Sequence, residues 1–375
     1  MLPTVDDPLL LRPTVMEIDL SALEHNFKLI RARVAPSQVL AVVKANAYGH
    51  GLIPCAKHFV ELGADYLGVA LVEEGIALRQ AGVTAPVLVF GGLLGGQIRH
   101  YLDFDLDITA SSLSKLQAIN LTAKDAGKRA RVHIKIDTGM RRIGVRPETA
   151  PQLFEELPKL QHVEFAGVFS HFVASDSPDS ALTNEQFSLF QQALQALPSG
   201  SNVLRHIANT GAVLQHPQTY LDMVRPGIAL YGVYPERHLE GMLDLRPAMT
   251  LRTKVVYFKV ARRGEGVSYG HTWHAPEDTR LVTLPVGYGD GYTRALSGKA
   301  EVLIRGRRYP IAGRICMDQC MVNIGKGEAY NGDDVVLIGC QGEERITVAE
   351  LAEQAGTVPH EVLTMTNLRV PRVYR

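Results

Sequence analysis

Up to about residue 235 the chain alternates between two textures. Short apolar, β-branched runs are followed by longer stretches whose apolar residues recur at helical spacing. The short runs are VLAVVKA (39–45), YLGVA (66–70), PVLVF (86–90), LDITA (106–110), RVHIKIDT (131–138), EFAGVFSHF (164–172), VLRHIAN (203–209) and MVRPGIALYG (223–232). Runs of this kind predict strands. IPCAKHFVELG, VEEGIALRQAG, SLSKLQAINLTAKDAG and TNEQFSLFQQALQAL between them predict helices. SALEHNF opens another, with Ser21 three residues before Glu24 in a capping-box pattern. Eight strand–helix units predict an α/β fold, a (β/α)8 TIM-type barrel over residues 12–238. A doubly wound open sheet is the alternative, but no G-x-G-x-x-G follows any strand.

After about residue 240 strands separated by glycine-rich turns take over, as in TKVVYFKVARRGEGVSYG and AEVLIRGRRYPIAGRICMDQCMVNIG. Only TVAELAEQAG reads clearly as a helix. Residues 239–375 are therefore expected to form a mostly β C-terminal domain. TVMEIDL (14–20) reads as one more strand, a candidate for joining residues 1–18 to that domain.

Composition narrows the function classes. The chain has 375 residues, 39 Lys plus Arg against 39 Asp plus Glu, and is 46% hydrophobic. Balanced charge suggests no general attraction to nucleic acid or anionic membrane. No apolar run reaches the ~18–20 residues of a membrane-spanning helix. The N-terminus lacks a basic segment followed by an apolar one, so no signal peptide is expected. Cys55, Cys316, Cys320 and Cys340 imply no disulfide framework. CMDQC could be half a zinc site, but no second pair follows at finger spacing. The expectation is a cytoplasmic protein without a metal.

Lys44 ends an apolar run, where burying an ammonium is costly. Either its stem lies on apolar surface with the head in water, or the amine is desolvated for a purpose. In a barrel, chemistry sits at the C-terminal strand ends. Alternation in RVHIKIDTGM puts His133, Lys135 and Asp137 on one face and Val132, Ile134 and Ile136 on the other. The charged face should point into the barrel. His171, Asn209, Thr210 and Arg225 fall near the ends of later strands. Unlike polar residues converging on one mouth favour a site. Desolvation and nearby cations lower a lysine pKa and free the amine as nucleophile or base. An imine to pyridoxal 5'-phosphate fits, with ANTG as phosphate cradle, Arg225 facing the pyridine nitrogen and His171 against the ring.

These residues belong to longer motifs: AVVKANAYGHG, IKIDTGMRRIGV, SHFVASD, HIANTG, MVRPGIALYG, VSYGHTW, VGYGDGY, GRICMDQ and RVPRVYR. Together, from about residue 14 onward, they resemble the bacterial alanine racemase family. The resemblance implies a pyridoxal-phosphate-dependent isomerase that interconverts L- and D-alanine by a two-base mechanism, supplying D-alanine for peptidoglycan. It implies that Lys44 holds the cofactor as an aldimine and then serves as one base, with Tyr269 of the other subunit as the second. It implies that Arg225 faces the ring nitrogen and is bonded by His206, and that His171 packs on the ring. Tyr48, Asn209, Thr210, Gly227 and Ile228 match phosphate-binding positions. Arg142 and Met317 match substrate-carboxylate contacts. Asp318, Tyr288, Arg294 and Arg314 match support or entrance positions, and Lys135 matches a lysine that is carbamylated in many members. A homodimer with shared sites follows. One residue departs: Leu368 stands where some members carry a tyrosine, which leaves room for a broader alanine/serine racemase. A barrel-type amino-acid decarboxylase and a non-catalytic pyridoxal-phosphate carrier are the competing readings.

Overall fold

The computed structural model describes residues 11–198 and 200–375. Eight parallel strands form one sheet: Gln38–Val42, Tyr66–Val69, Val87–Val89, Asp107–Ala110, Ala130–Lys135, Val163–Phe169, Leu204–His206 and Met223–Val224. Each of the first six pairs with the next, Met223–Val224 pairs with Gln38–Val42, and the ladder is open only between Leu204–His206 and Met223–Val224. The seam between the last two strands is bridged by Asp222 N donating to Arg205 O (3.1 Å) and Arg225 N donating to Ala208 O (2.9 Å). The expected barrel is present. Its strands are fully covered because helices such as Leu52–Glu61, Val72–Gln80, Leu113–Asp125 and Ala181–Gln195 line the outside.

Most of the predicted strands run on too far at their C-terminal ends. The run to residue 138 stops at Lys135, the one to 172 at Phe169 and the one to 232 at Val224. The surplus residues mix apolar and polar types and leave the ladder for the rim loops. A second correction concerns the first helix, Leu20–Val34. Asp19 caps it by accepting from Ala22 N (3.1 Å), and Ser21 Oγ merely donates to that carboxylate (2.6 Å).

The C-terminal part is mostly β, as expected. Its larger sheet runs Arg307–Pro310, Glu301–Ile304, Asp334–Gln341, Met249–Lys254, Val15–Ile18, Arg372–Tyr374, with Glu344–Ile346 added at one side. A smaller sheet joins Tyr257–Ala261, Thr279–Leu284 and Cys320–Gly325. Val15–Ile18 lies antiparallel to Met249–Lys254 and parallel to Arg372–Tyr374. The start of the described chain is thus built into the second sheet; residues 1–10 of the segment assigned to it lie outside the described residues. A C-terminal helix that the pattern did not announce, Pro359–Met365, packs against the barrel rim beside Gly49. Among the described residues no helix is long and apolar enough to cross a membrane.

Candidate active site

Lys44 stands just past the first barrel strand and opens the turn Lys44–Tyr48. Ala45, Asn46, Ala47 and Tyr48 have φ between 52° and 55°. Left-handed backbone costs a non-glycine residue ~1–2 kcal/mol, so four in a row persist only where surroundings over-determine them. Ala45 N donates to Glu74 Oε1 (2.7 Å), whose second oxygen accepts from Ala70 N (2.8 Å). Asn46 Oδ1 accepts from Leu52 N (2.8 Å). The Lys44 amine is partly buried and has no hydrogen-bond or ion-pair partner among the described residues. Burial, then the charges of Arg142 and Arg225, hold it below the ordinary lysine range, with Glu74 opposing.

Arg225 follows the eighth strand and is 4% exposed. Its Nη1 donates to His206 Nδ1 (2.9 Å); its Nη2 donates to Ser170 O (2.7 Å), Ile207 O (3.0 Å) and His171 Nδ1 (3.3 Å). Burial brings its pKa down to about 9, still protonated at neutral pH. An arginine only donates, so His206 Nδ1 accepts and the proton of that neutral ring lies on Nε2. It faces His133 Nδ1 at 3.0 Å, and His133 Nε2 faces Asp107 Oδ2 at 3.2 Å. From Arg225 through His206 and His133 to Asp107, a donor faces an acceptor at each link. Burial pushes the Asp107 carboxyl up, but His133 and Arg131 outweigh it and hold it below the usual range. Burial, helped by Arg225, keeps His206 well below an ordinary imidazole; burial and then Lys135 do the same for His171.

Lys135 is 5% exposed, with Nζ 4.3 Å from the Phe169 ring centre. Burial, Arg225 and Arg142 drive its pKa well below 10.5, against Asp137. Asp137 instead accepts from Gly139 N and Arg141 N (both 3.0 Å) and fixes the turn that carries Arg142, whose side chain is exposed.

Tyr48, Thr210, Gly227 and Ile228 come together at the rim. An added Cβ at Gly227 would lie 2.4 Å from the Tyr48 hydroxyl, so only glycine fits there. Gly227 N donates to Thr210 Oγ1 (2.9 Å), which leaves the threonine proton free to reach another acceptor. Asn209 caps the helix Thr210–Gln215 through Ala212 N (3.2 Å).

The second-domain candidates gather elsewhere. A cavity of ≈ 680 Å³ is lined by Ser268, Tyr269, His271, Cys316, Met317 and Asp318, among others. Tyr269 is 71% exposed and Met317 53%. Arg314 lies against Gly270, and Asp318 accepts from Arg369 Nη2 (2.7 Å). Tyr288 and Arg294 are exposed. No hydrogen bond, ion pair or ring contact among the described residues joins this group to Lys44 of the same chain.

Family models for the alanine racemase N-terminal domain and C-terminal domain match residues 18–235 and 248–374. The chain belongs to the alanine racemase family. It is 45% identical to "Alanine racemase 2" of Caldanaerobacter subterraneus subsp. tengcongensis, over 97% of this chain and 95% of that one. The crystal structure of alanine racemase from Streptomyces lavendulae superposes with a TM-score of 0.93 at 39% identity, covering 97% of each chain. Histidine racemase from Leuconostoc mesenteroides superposes at 0.90 and 30% identity, covering 97% and 98%. The match to both alanine racemase domains decides for an alanine racemase, an isomerase, over the decarboxylase and carrier readings.

Alanine racemases use pyridoxal phosphate, and this donor set fits it. The rim offers an unpaired amine, a guanidinium with N–H groups to spare, a neutral imidazole, and a glycine pressed against a buried tyrosine hydroxyl. Glu74, Asp107 and His360, which carry no signal in the sequence, also shape this site, together with His133. His133 was visible in the alternation of its strand. Glu74 looked like an ordinary helix-start carboxylate, and His360, 6.0 Å from the Tyr48 ring centre, comes from the unannounced helix.

Proposed function

We propose that Lys44 and Tyr269 are the two bases of the L-alanine/D-alanine interconversion, in a cytoplasmic homodimer that supplies D-alanine for peptidoglycan. Each site would combine the Lys44 rim of one copy with the Tyr269 cavity of the other. The observation that carries this is the separation of the two groups within one chain: a base pair for opposite faces of one carbon is incomplete without a second copy.

When bound, pyridoxal phosphate supplies an electron sink for the pair left at the α-carbon. Lys44 would hold its aldehyde carbon, Arg225 its ring nitrogen, and Tyr48, Thr210, Gly227 and Ile228 its phosphate, with Asn209 fixing the helix start and His171 at the ring face. A cationic Arg225 can only donate to the ring nitrogen and cannot accept a hydrogen bond from a protonated one, so it would leave that nitrogen unprotonated, keep the sink weak and discourage side reactions. The lowered Lys44 pKa favours the neutral amine, which would take the proton on one face. Tyr269 returns one from the other. Arg142 and the Met317 N–H would bind the carboxylate. Arg294 and Arg314, with Tyr288, would draw anionic amino acids in, and Asp318 would set the Met317 loop. Lys135 is a buried amine poised to lose its charge; carbamylated, it would give Arg142 an anion to lean on.

The test is complementation. Lys44→Ala and Tyr269→Phe homodimers should each lose nearly all turnover. Mixed by subunit exchange, they should regain roughly a quarter of wild-type activity, because half the dimers are mixed and each holds one intact site. No recovery in demonstrably mixed dimers would refute the shared site. Serine is a second substrate worth measuring, because Leu368 presents a short side chain, 87% exposed, beside the entrance. The similar chain named histidine racemase supports breadth in this fold.

A further inference from the structure

The left-handed turn behind Lys44 is held in front by Glu74, and behind by the far end of the chain. Three successive residues after the turn, Gly49, His50 and Gly51, each touch the C-terminal segment. Gly49 O accepts from Arg372 Nε (3.0 Å), and His50 O accepts from the Tyr374 hydroxyl (3.0 Å). Gly49 and Gly51 have φ of 83° and 105°. A Cβ on Gly49 would lie 2.2 Å from Leu363 O, and one on Gly51 1.9 Å from the Tyr374 hydroxyl. The approach is so close that only glycine backbone permits it.

Arg372 does more than touch the turn. Nη1 donates to Asn367 O (2.5 Å) and Val370 O (2.8 Å), and Nη2 donates to Thr366 O (2.6 Å). One guanidinium therefore joins the backbone behind Lys44 to the loop that carries Leu368. Asn367 Nδ2 extends the tie by donating to Gly289 O (2.6 Å), next to Tyr288. We propose that Arg372 and Tyr374 are positioning residues of the reaction: they lock the left-handed turn and so fix the aim of the Lys44 amine, while Arg372 couples that aim to the entrance loop. The inference rests on Lys44 being the cofactor-bearing base. Neither residue bonds Lys44 itself. They act because Lys44 has a backbone held from both sides and an amine with no partner to steer it.

Hydrogen exchange and cofactor capture, measured on the full-length chain, test this. The variants are Tyr374→Phe, Arg372→Met and Arg372→Lys. Losing one buried hydrogen bond should speed amide exchange in 49–52 about tenfold in Tyr374→Phe and more in Arg372→Met, with strand Ala130–Lys135 unchanged. In cofactor-free protein, capture of added pyridoxal phosphate, followed by absorbance, should slow about tenfold in both. Arg372→Lys should recover part of each effect, because an ammonium still reaches one carbonyl. The proposal is overturned if exchange in the turn is unchanged, if it rises equally in the barrel strand, or if it rises while capture does not slow. Capture that survives Lys44→Ala would instead refute the assignment of Lys44, whatever the exchange data show.

Discussion

The two halves of the proposed site, both carried by one chain, are built on opposite terms. At the barrel rim, Arg225, His206 and Lys135 are no more than 5% exposed, and their charges and tautomers are fixed by one another. On the second domain, Tyr269, Met317 and Leu368 are more than half exposed and owe little to their neighbours. Burial, then the charges of Arg142 and Arg225, hold the Lys44 amine below the ordinary lysine range before any ligand arrives; the Tyr269 ring stands largely in solvent in its own chain. The rim is thus electrostatically finished, and the other half takes its environment from what it meets. Substitutions in the first half should disturb folding and chemistry together, and those in the second should disturb chemistry alone.

The sharpest challenge to that contrast is Arg225→Leu. It strips partners from His206 Nδ1, Ser170 O and Ile207 O, each buried. Each orphaned acceptor costs roughly 1–3 kcal/mol, and lost repulsion with Lys135 gives part of that back, for a net loss of about 3 kcal/mol. Urea unfolding should show it as a lower midpoint at unchanged slope. An unchanged midpoint would mean the rim is no more tightly built than the exposed half.

Acid offers the next test. His50 is fully buried beside the lysine turn, its Nδ1 facing Ala47 O (3.1 Å) and Tyr48 O (2.9 Å), and burial brings its pKa down to about 4 from 6.5. Below pH 6.5 the unfolded imidazole takes up a proton that the native one refuses. The stability is therefore fully present above pH 6.5 and lost as pH falls toward 4. Between pH 6.5 and 5.0 His50 alone should remove about 2 kcal/mol, and His206 acts in the same direction. His50→Leu should flatten the dependence of unfolding free energy on pH over that window, whatever it does to stability at pH 8. An equal slope in the variant would show that water reaches this part of the rim.

Much of this architecture was legible because each layer had its own period. The barrel strands read as apolar runs, and the alternation of His133 and Lys135 correctly turned them inward. What failed did so where local pattern stops governing. The strand runs were drawn too long since apolar residues such as Ile136, Phe172 and Leu230 continue past the last ladder pair into the rim loops. The left-handed turn left no mark, because Ala45 and Ala47 carry no preference for positive φ. It exists through Glu74, Arg372 and Tyr374, which lie from about thirty to more than three hundred residues away in sequence. Only motif resemblance nominates Tyr269, which shape alone would have left as one more exposed turn residue.

Leu368→Tyr gives the smallest expected effect on folding and the finest test of the exposed half. The side chain points into open space, and its loop is held through backbone carbonyls by Arg372 and through Asn367. Nothing in that scaffold depends on the leucine itself, so the unfolding free energy should stay within about 0.5 kcal/mol. Turnover is another matter. A larger ring on the loop that Asn367 ties to Gly289 should narrow the proposed entrance and penalise a substrate longer than alanine. Pockets discriminate substrates differing by one small group by ~1–3 kcal/mol, so the serine-to-alanine ratio of kcat/KM should fall about tenfold. A fall in that ratio with an unmoved unfolding midpoint would place Leu368 at the gate and keep the two halves distinct. If the midpoint drops as well, the loop is packed as tightly as the rim and the contrast fails. If neither changes, the entrance lies elsewhere on the exposed half, and Tyr288 and Arg294 become the residues to replace next.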